Sequence, residues 1–233
     1  MANPTPLSYF EIGSAPPIEK ENLVEFHLLY SGSLHSNGDR KEKHAIRKVF
    51  HSQLQQLWHL DSNLRQMAER WGRSDYANEL HGVSNAPLIS TDDAITKGLL
   101  NKGKEWNRNG FNFLPLVTKA AVLRCSLDIL FLRAEEKNYV LQGGDVDGRI
   151  KTLFDGLRMI NSSNELPTGT VPDADEDPFF CLLEDDELIS GVTINTSRLL
   201  LLPGSKTINK SDVYLQITVK LNPTRIGWDT YIV

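Results

Sequence analysis

The residues best suited to chemistry lie in the segment 143–155, which reads GGDVDGRIKTLFD. Asp145 and Asp147 are two residues apart, so in an extended segment both side chains leave the same side of the backbone. Two carboxylates held together repel each other, and a divalent cation is the usual way to relieve that repulsion. Lys151 follows Asp147 by one helical turn and projects towards the same place. Carboxylates, a metal and a lysine together suit phosphoryl transfer, because the cations stabilise the negative charge that develops on the phosphate.

A plainer interpretation of this segment stays open. Asp147 could cap the amino end of a helix, Lys151 could pair with Asp155, and Asp145 could be solvated. The spacing of two aspartates does not by itself separate a metal site from an ordinary helix start.

A second group of carboxylates, at 184–187, stands between the apolar run PFFCLL and a predicted strand. Four acids at a turn are ordinarily a solvated corner, but strand ends are where a sheet displays the residues of a site, so a functional role is also open. The segment 173–187 holds eight acids and no basic residue, and the rest of the chain has 25 basic against 22 acidic residues, although the net charge is −5. This local acidity is either solvated, repels anions or binds cations.

Hydrophobic periodicity predicts the elements that must position these residues. Apolar residues at three- and four-residue steps predict one long helix over 41–71, with Gly72 as its C-cap. A second amphipathic helix, with Ile150, Leu153 and Leu157 on one face, begins at the aspartates. The other predicted elements are strands at 23–30, 120–133, 189–202 and 213–221, a short helix at 92–100 and a loop at 161–178.

The order strand–helix–strand–helix–strand–strand predicts a single α+β domain with a mixed sheet flanked by helices. We expect this domain to span 23–233, after an extended N-terminal arm at 1–22. The segments 72–110 and 161–178 interrupt the pattern and are interpreted as insertions, which offer surfaces for a protein partner.

The aspartate segment and the later acid pair together resemble the RusA family of Holliday junction resolvases. The resembling residues read Asp145-Val-Asp147-Gly148-Arg-Ile-Lys151-Thr-Leu-Phe-Asp155-Gly-Leu157, followed by Leu183-Glu-Asp185-Asp186-Glu-Leu-Ile189. The strand before this motif, the opening strand with its basic loop and helix, and the closing strand are also similar to the family in their order. The resemblance covers most of 23–221, and about 25 residues carry its specific motifs.

The resemblance implies a RusA-like fold and a Mg²⁺-dependent endonuclease, with Mn²⁺ able to substitute, that cuts branched DNA such as four-way junctions. It implies metal ligands and catalytic residues at Asp145, Asp147 and Asp186. Lys151 would be the catalytic lysine, and Asp185 a neighbouring carboxylate that supplements the metal site. The resemblance also implies a homodimer and a prokaryotic or phage-encoded protein.

The chain departs from the family pattern at several places. Gly148 stands where the family usually has an asparagine, and the loop 135–144 before the motif supplies only one lysine, Lys137. The connection to the acid pair is longer than usual and acidic. Two alternatives therefore stay open: a binding or regulatory protein with little or no nuclease turnover, and a nuclease for flaps, forks or RNA in a phage or defence system.

Basic residues at the start of the long predicted helix form the best candidate phosphate-binding patch. Cations at a helix amino terminus oppose the helix dipole, so the cluster is unfavourable unless something anionic compensates it. The alternative is an ordinary solvated helix start. The predicted DNA-contacting residues are Arg40, Lys41, Lys43, Arg47, Lys48, Arg149 and Arg198.

Other function classes lack support in the sequence. No apolar run approaches the length of a membrane span and the amino terminus has no secretory signal, so we expect no membrane partner and a cytoplasmic location. Cys125 and Cys181 stand alone and are expected to be reduced core thiols. The histidines have no metal-binding spacing, and His44, His51 and His59 are expected at a surface or interface. The glycine loops that bind nucleotides and the motif of a serine hydrolase are absent.

Overall fold

The computed structural model describes residues 25–81, 87–133, 145–200, 209 and 211–223, and of Asp145 it describes the backbone alone. The predicted arm at 1–22 and the loop 135–144 lie outside the described residues. In chain order the elements are β1 (Glu25–Ser33), α1 (Arg40–Leu60), α2 (Ser62–Glu79), α3 (Thr91–Glu105), β2 (Asn107–Arg108), β3 (Phe111–Val117), β4 (Leu123–Arg133), α4 (Asp145–Leu157), β5 (Phe179–Leu183), β6 (Ile189–Arg198) and β7 (Asp212–Pro223). None of the described helices is long and apolar enough to cross a membrane.

The larger sheet has four strands in the order β1-β7-β4-β6. Strand β7 is antiparallel to both of its neighbours, whereas β4 and β6 are parallel, so the sheet is mixed. Alternate residues of β4, among them Leu127, Ile129 and Phe131, are completely buried and face the helices. The α+β class and the mixed sheet are therefore confirmed, as are the four predicted strands, with bounds that differ by a few residues.

A second, three-stranded sheet in the order β2-β3-β5 was not predicted. Its parallel pair, β3 and β5, is buried almost throughout, because helices and the larger sheet enclose it. Strands buried on both faces appear in a sequence as continuous apolar runs without alternation, here FNFLPLV and FFCLL.

The single long helix predicted over 41–71 is wrong. The chain breaks at Asp61, whose backbone is extended and whose carboxylate accepts hydrogen bonds from the amides of Asn63 (3.0 Å) and Leu64 (2.9 Å). Asp61 thus caps the start of α2, while its own amide donates to the carbonyl of Leu57 at the end of α1. The apolar stripe continues across this break, so periodicity alone could not detect it.

Gly72 is not a C-cap but an interior residue of α2, at its crossing with α3. A Cβ atom there would overlap the carbonyl of Ala94, and one at Gly98 would overlap the carbonyl of Ala68. The two glycines let the helix backbones touch. The predicted helix at 92–100 is confirmed as the middle of α3, so the segment 72–110 forms much of a helical hairpin rather than a polar loop.

Helices α1 and α4 cover the inner face of the larger sheet, with Ile46, Phe50 and Leu54 of α1 fully buried in its core. The amide of Gly38, before α1, donates to the hydroxyl of Thr152 in α4 (2.8 Å). This bond fixes the start of α1 against α4, which carries the predicted site residues.

Candidate functional site

The aspartate motif lies on a helix. Asp145 and Asp147 both belong to α4, so the backbone at these residues is helical. The expectation of an extended backbone there is therefore wrong. Asp147 and Lys151 are exposed and one turn apart, as predicted.

The last turn of α4 is anchored beside the end of β5. After the helix, Arg158 forms a parallel bridge with Leu183, and the amide of Met159 donates to the Leu183 carbonyl (2.9 Å). The acid group that follows β5 therefore lies next to the carboxyl end of α4, not next to its aspartate-bearing amino end.

A network of charges surrounds this junction. Asp155 contacts Lys43 (2.8 Å) and Arg158 (2.9 Å), and Arg158 also contacts Glu165 (3.0 Å). Partial burial opposes ionisation of Asp155, but the hydrogen bond from Lys43 and the charge of Arg158 bring its pKa below the usual value. Asp155 thus pairs with Lys43 and Arg158. The alternative interpretation, in which Lys151 is its main partner, is therefore wrong.

Asp185 and Asp186 form a carboxyl pair beyond this network. Asp185 caps a short 3-10 helix, Asp186–Leu188, and accepts a hydrogen bond from the Glu187 amide (3.1 Å), which lowers its pKa. Partial desolvation and the hydrogen bond with Asp185 raise the pKa of Asp186, whereas the charge of Arg158 opposes that rise. The pKa values of the two neighbouring carboxyl groups are therefore shifted in opposite directions.

The described part of the chain does not test the predicted grouping of Asp145, Asp147 and Asp186, because the side chain of Asp145 lies outside it. The charges of Asp155 and Arg158 act on Asp186. Asp147 lies eight residues before Asp155 in α4, which is about 12 Å along the helix axis. No three His, Cys, Asp or Glu side chains among those described could hold one metal ion, and the side chain of Asp145 lies outside this test.

Sequence reasoning missed Lys119 at this junction. Lys119, in the loop before β4, donates through its amide to the Glu184 carboxylate (2.8 Å), and its ammonium group contacts Glu187. An open cavity of about 350 Å³ lies beside it. Asp155 and Arg158 carried a detectable signal, since they are spaced i, i+3 at the end of a predicted helix, but Lys119 carried none.

The basic start of α1 is compensated from within the protein. Lys48 contacts Asp173 (2.6 Å) and Glu176 (2.8 Å), and Lys43 contacts Asp155. The anionic compensation that the helix dipole requires is therefore present without nucleic acid. The sequence left open whether the acidic stretch is solvated, repels anions or binds cations. Two acids of 173–177, Asp173 and Glu176, bind one of the protein's own cations, Lys48.

Arg47 is fully buried and does not reach the surface as a DNA contact. Its guanidinium donates to the carbonyls of Asp155 (2.8 Å) and Arg158 (3.1 Å) at the end of α4. Burial lowers the pKa of Arg47 to about 10, against the opposing charge of Glu165. Arg149 is also buried, whereas Arg40, Lys41 and Arg198 are exposed and remain predicted DNA contacts.

Two of the three helical histidines are buried, contrary to expectation. His44 packs between Phe111 and Phe179, and the His51 ring accepts a hydrogen bond from the Phe180 amide (2.9 Å). His59 is exposed. The two cysteines are free and buried as predicted, and burial raises the pKa of Cys125 to about 12.

No protein-family model, curated protein or solved structure matches this chain. The resemblance to RusA resolvases therefore rests on the motifs alone.

Proposed function

We propose that this chain is a Mg²⁺-dependent, structure-selective DNA endonuclease of the RusA type, acting on branched DNA. The observation that carries the proposal is the pair Asp185 and Asp186, which follows β5 at the edge where the parallel strands β3 and β5 both end. In this proposal Asp147 and Lys151, on the exposed face of α4, form a separate part of the site, about two helical turns and one helical turn respectively from Asp155, the residue of that helix that approaches the pair.

The fit of the described residues to Mg²⁺ is partial. Asp185 and Asp186 offer adjacent carboxylate oxygens, the ligand type that Mg²⁺ prefers, but the described residues do not add a third acid within reach. We therefore assign no catalytic step to the metal. Lys151 and the exposed cations Arg40 and Lys41 are the residues of this chain that would bind and orient a phosphodiester.

The test is a cleavage assay on labelled four-way junction, fork, linear duplex and single-stranded DNA, with Mg²⁺ or Mn²⁺. Symmetric cuts in the junction that disappear in Asp147→Asn support the proposal as stated. Cuts in another substrate, again lost in the variant, keep the nuclease chemistry and replace the substrate. Absence of cleavage on every substrate would overturn the proposal.

A second candidate is a binding or regulatory protein of the same fold that does not cleave DNA. Two observations favour it: the described carboxylates do not assemble a three-acid site, and Lys43 and Lys48 are engaged with the protein's own acids. This candidate predicts that the chain binds branched DNA or a protein without cutting DNA.

A further inference from the structure

The two edges of the larger sheet differ in how they are closed. At the β1 edge, the side-chain amide of Gln53 reaches from α1 to the backbone of Leu29. It accepts from the Leu29 amide (2.8 Å) and donates to the Leu29 carbonyl (2.7 Å), so it replaces a neighbouring strand at that point. At the other edge, none of the described strands pairs with the outer side of β6.

Strand β6 also lacks the features that keep an edge strand from pairing. Monomeric proteins commonly protect such edges with short strands, prolines, inward charges or bulges. Strand β6 has ten residues, contains no proline, lysine or acid, and carries one charge, Arg198, at its end. Its ladder with β4 is regular from Gly191 to Arg198, after a single register shift at its start.

The hydrophobic layer under the sheet reaches the rim at β6. Leu127 and Ile129 of β4 are completely buried, and they pair in register with Val192 and Ile194. Val192 is 42% exposed and Ile194 is half-buried, although both lie on that same inner face. Apolar side chains at the end of a core layer are left without a neighbour on their outer side.

We propose that β6 pairs antiparallel with β6 of a second copy of this chain, around a two-fold axis at Thr193. Residues that face each other in a continuous sheet must lie on the same face, so their positions must differ by an even number. An axis at Thr193 places Val192 opposite the partner's Ile194, and Ile194 opposite the partner's Val192. This register continues the hydrophobic layer from one copy into the other.

Charge complementarity selects this orientation. Arg198 ends the strand, and four acids at 184–187 precede it. In the antiparallel register Arg198 lies just beyond the start of the partner's β6, beside the segment that carries the partner's acids at 184–187. A parallel pair would instead place Arg198 beside the partner's Arg198 and the acids beside acids, which is repulsive. The arrangement also brings a cation of one copy towards the acid group of the other.

The first test is site-directed cross-linking of the full chain with a short bis-maleimide. The native thiols do not interfere, since Cys125 and Cys181 are buried. Thr193→Cys is expected to give a covalent dimer in high yield, because the two cysteines meet at the axis. Ser197→Cys is the matched control on the same strand and face: the two copies of this residue stand eight positions apart in register, about 27 Å. Cross-linking of Ser197→Cys without Thr193→Cys would overturn the register.

The second test measures self-association by sedimentation over a concentration series. Wild-type chain is expected to dimerise, and Val192→Lys to dissociate at least about 100-fold more readily, because the dimer would bury an unpaired charge. Val171→Lys, at a position that is 71% exposed and distant in sequence, is expected to dimerise like wild type. A wild-type chain that stays monomeric throughout, or a Val192→Lys chain that associates normally, would overturn the proposal. Neither test depends on nuclease activity.

Discussion

Asp185 and Asp186 are neighbouring carboxyl groups, yet their pKa values move in opposite directions, that of Asp185 down and that of Asp186 up. The difference arises from their surroundings, because Asp185 accepts a hydrogen bond from the Glu187 amide, whereas Asp186 is partly desolvated. At neutral pH two adjacent carboxylates repel each other, and a divalent cation would relieve that repulsion. The pair is therefore the best-defined candidate for metal binding in the described structure.

Metal binding at this pair predicts a thermal shift. At ten times its dissociation constant a cation stabilises the folded chain by about 1.4 kcal/mol, or roughly 3–6 °C for a chain of this size. We expect this rise in Tm with Mn²⁺ or Mg²⁺ for wild type and its loss in Asp186→Asn. Asp92→Asn, at a side chain that is 92% exposed, is the control and should retain the shift. Equal shifts in all three proteins would place the cation elsewhere.

The buried histidine His44 predicts a pH dependence of stability. Burial lowers its pKa from 6.5 to about 4, so the folded chain resists a proton that the unfolded chain binds. The stabilisation that neutral His44 provides is present above pH 6.5 and is lost as the pH falls towards 4, by about 1–2 kcal/mol after allowance for solvent screening.

The variant His44→Phe isolates this effect. Neither ring nitrogen of His44 has a hydrogen-bond partner within the described ranges, and its neighbours Phe111 and Phe179 are aromatic. We expect the variant to match or slightly exceed wild type in urea unfolding at pH 7.5, and to lose less stability than wild type at pH 4.5. An identical loss in both proteins would show that His44 does not titrate in this range.

The hydrogen bonds of Arg47 to the end of α4 predict a structural role. Arg47→Met removes a buried guanidinium that donates to two partly buried carbonyls, and we expect it to lower the free energy of unfolding by about 2–4 kcal/mol. Arg40→Met changes an exposed side chain of the same helix and should stay within about 0.5 kcal/mol of wild type. If Arg47→Met left stability unchanged and weakened DNA binding instead, the surface role predicted from the sequence would be restored.

The crossing of α2 and α3 predicts a steric effect. Gly72→Ala puts a methyl group against the backbone of Ala94, and we expect a loss of about 2–4 kcal/mol in chemical denaturation. Gly191→Ala is the control, because a Cβ there meets only Ser126 at 3.8 Å, an ordinary contact. A neutral Gly72→Ala would mean that the helices can separate at no cost.

The elements that could be predicted from the sequence are those with a clear period. Strands β4 and β7 alternate between buried and half-exposed residues, and α4 shows an apolar face at helical spacing. Strands β3 and β5 could not be predicted in this way, because a strand buried on both faces has no alternation. The break at Asp61 was missed since the apolar stripe runs on through it, and only the capping residue marks it.

The candidate site could be predicted only in part. The acids themselves were identified, but which acids approach each other depends on where helix and strand ends meet. The pairing of Arg158 with Leu183 places the end of α4 beside Asp186, and so makes Asp155 rather than Asp147 its described neighbour on that helix. Such an approach is a tertiary feature, and no local spacing in the sequence encodes it.

The most direct measurement is the rate at which Asp186→Asn cleaves a labelled four-way junction with Mg²⁺, beside wild type and Asp92→Asn. We expect metal-dependent cleavage by wild type, an unchanged rate for Asp92→Asn, and a loss of at least about 100-fold for Asp186→Asn, with all three proteins equally stable when no divalent cation is present. Cleavage by Asp186→Asn at the wild-type rate would contradict the assignment of the site.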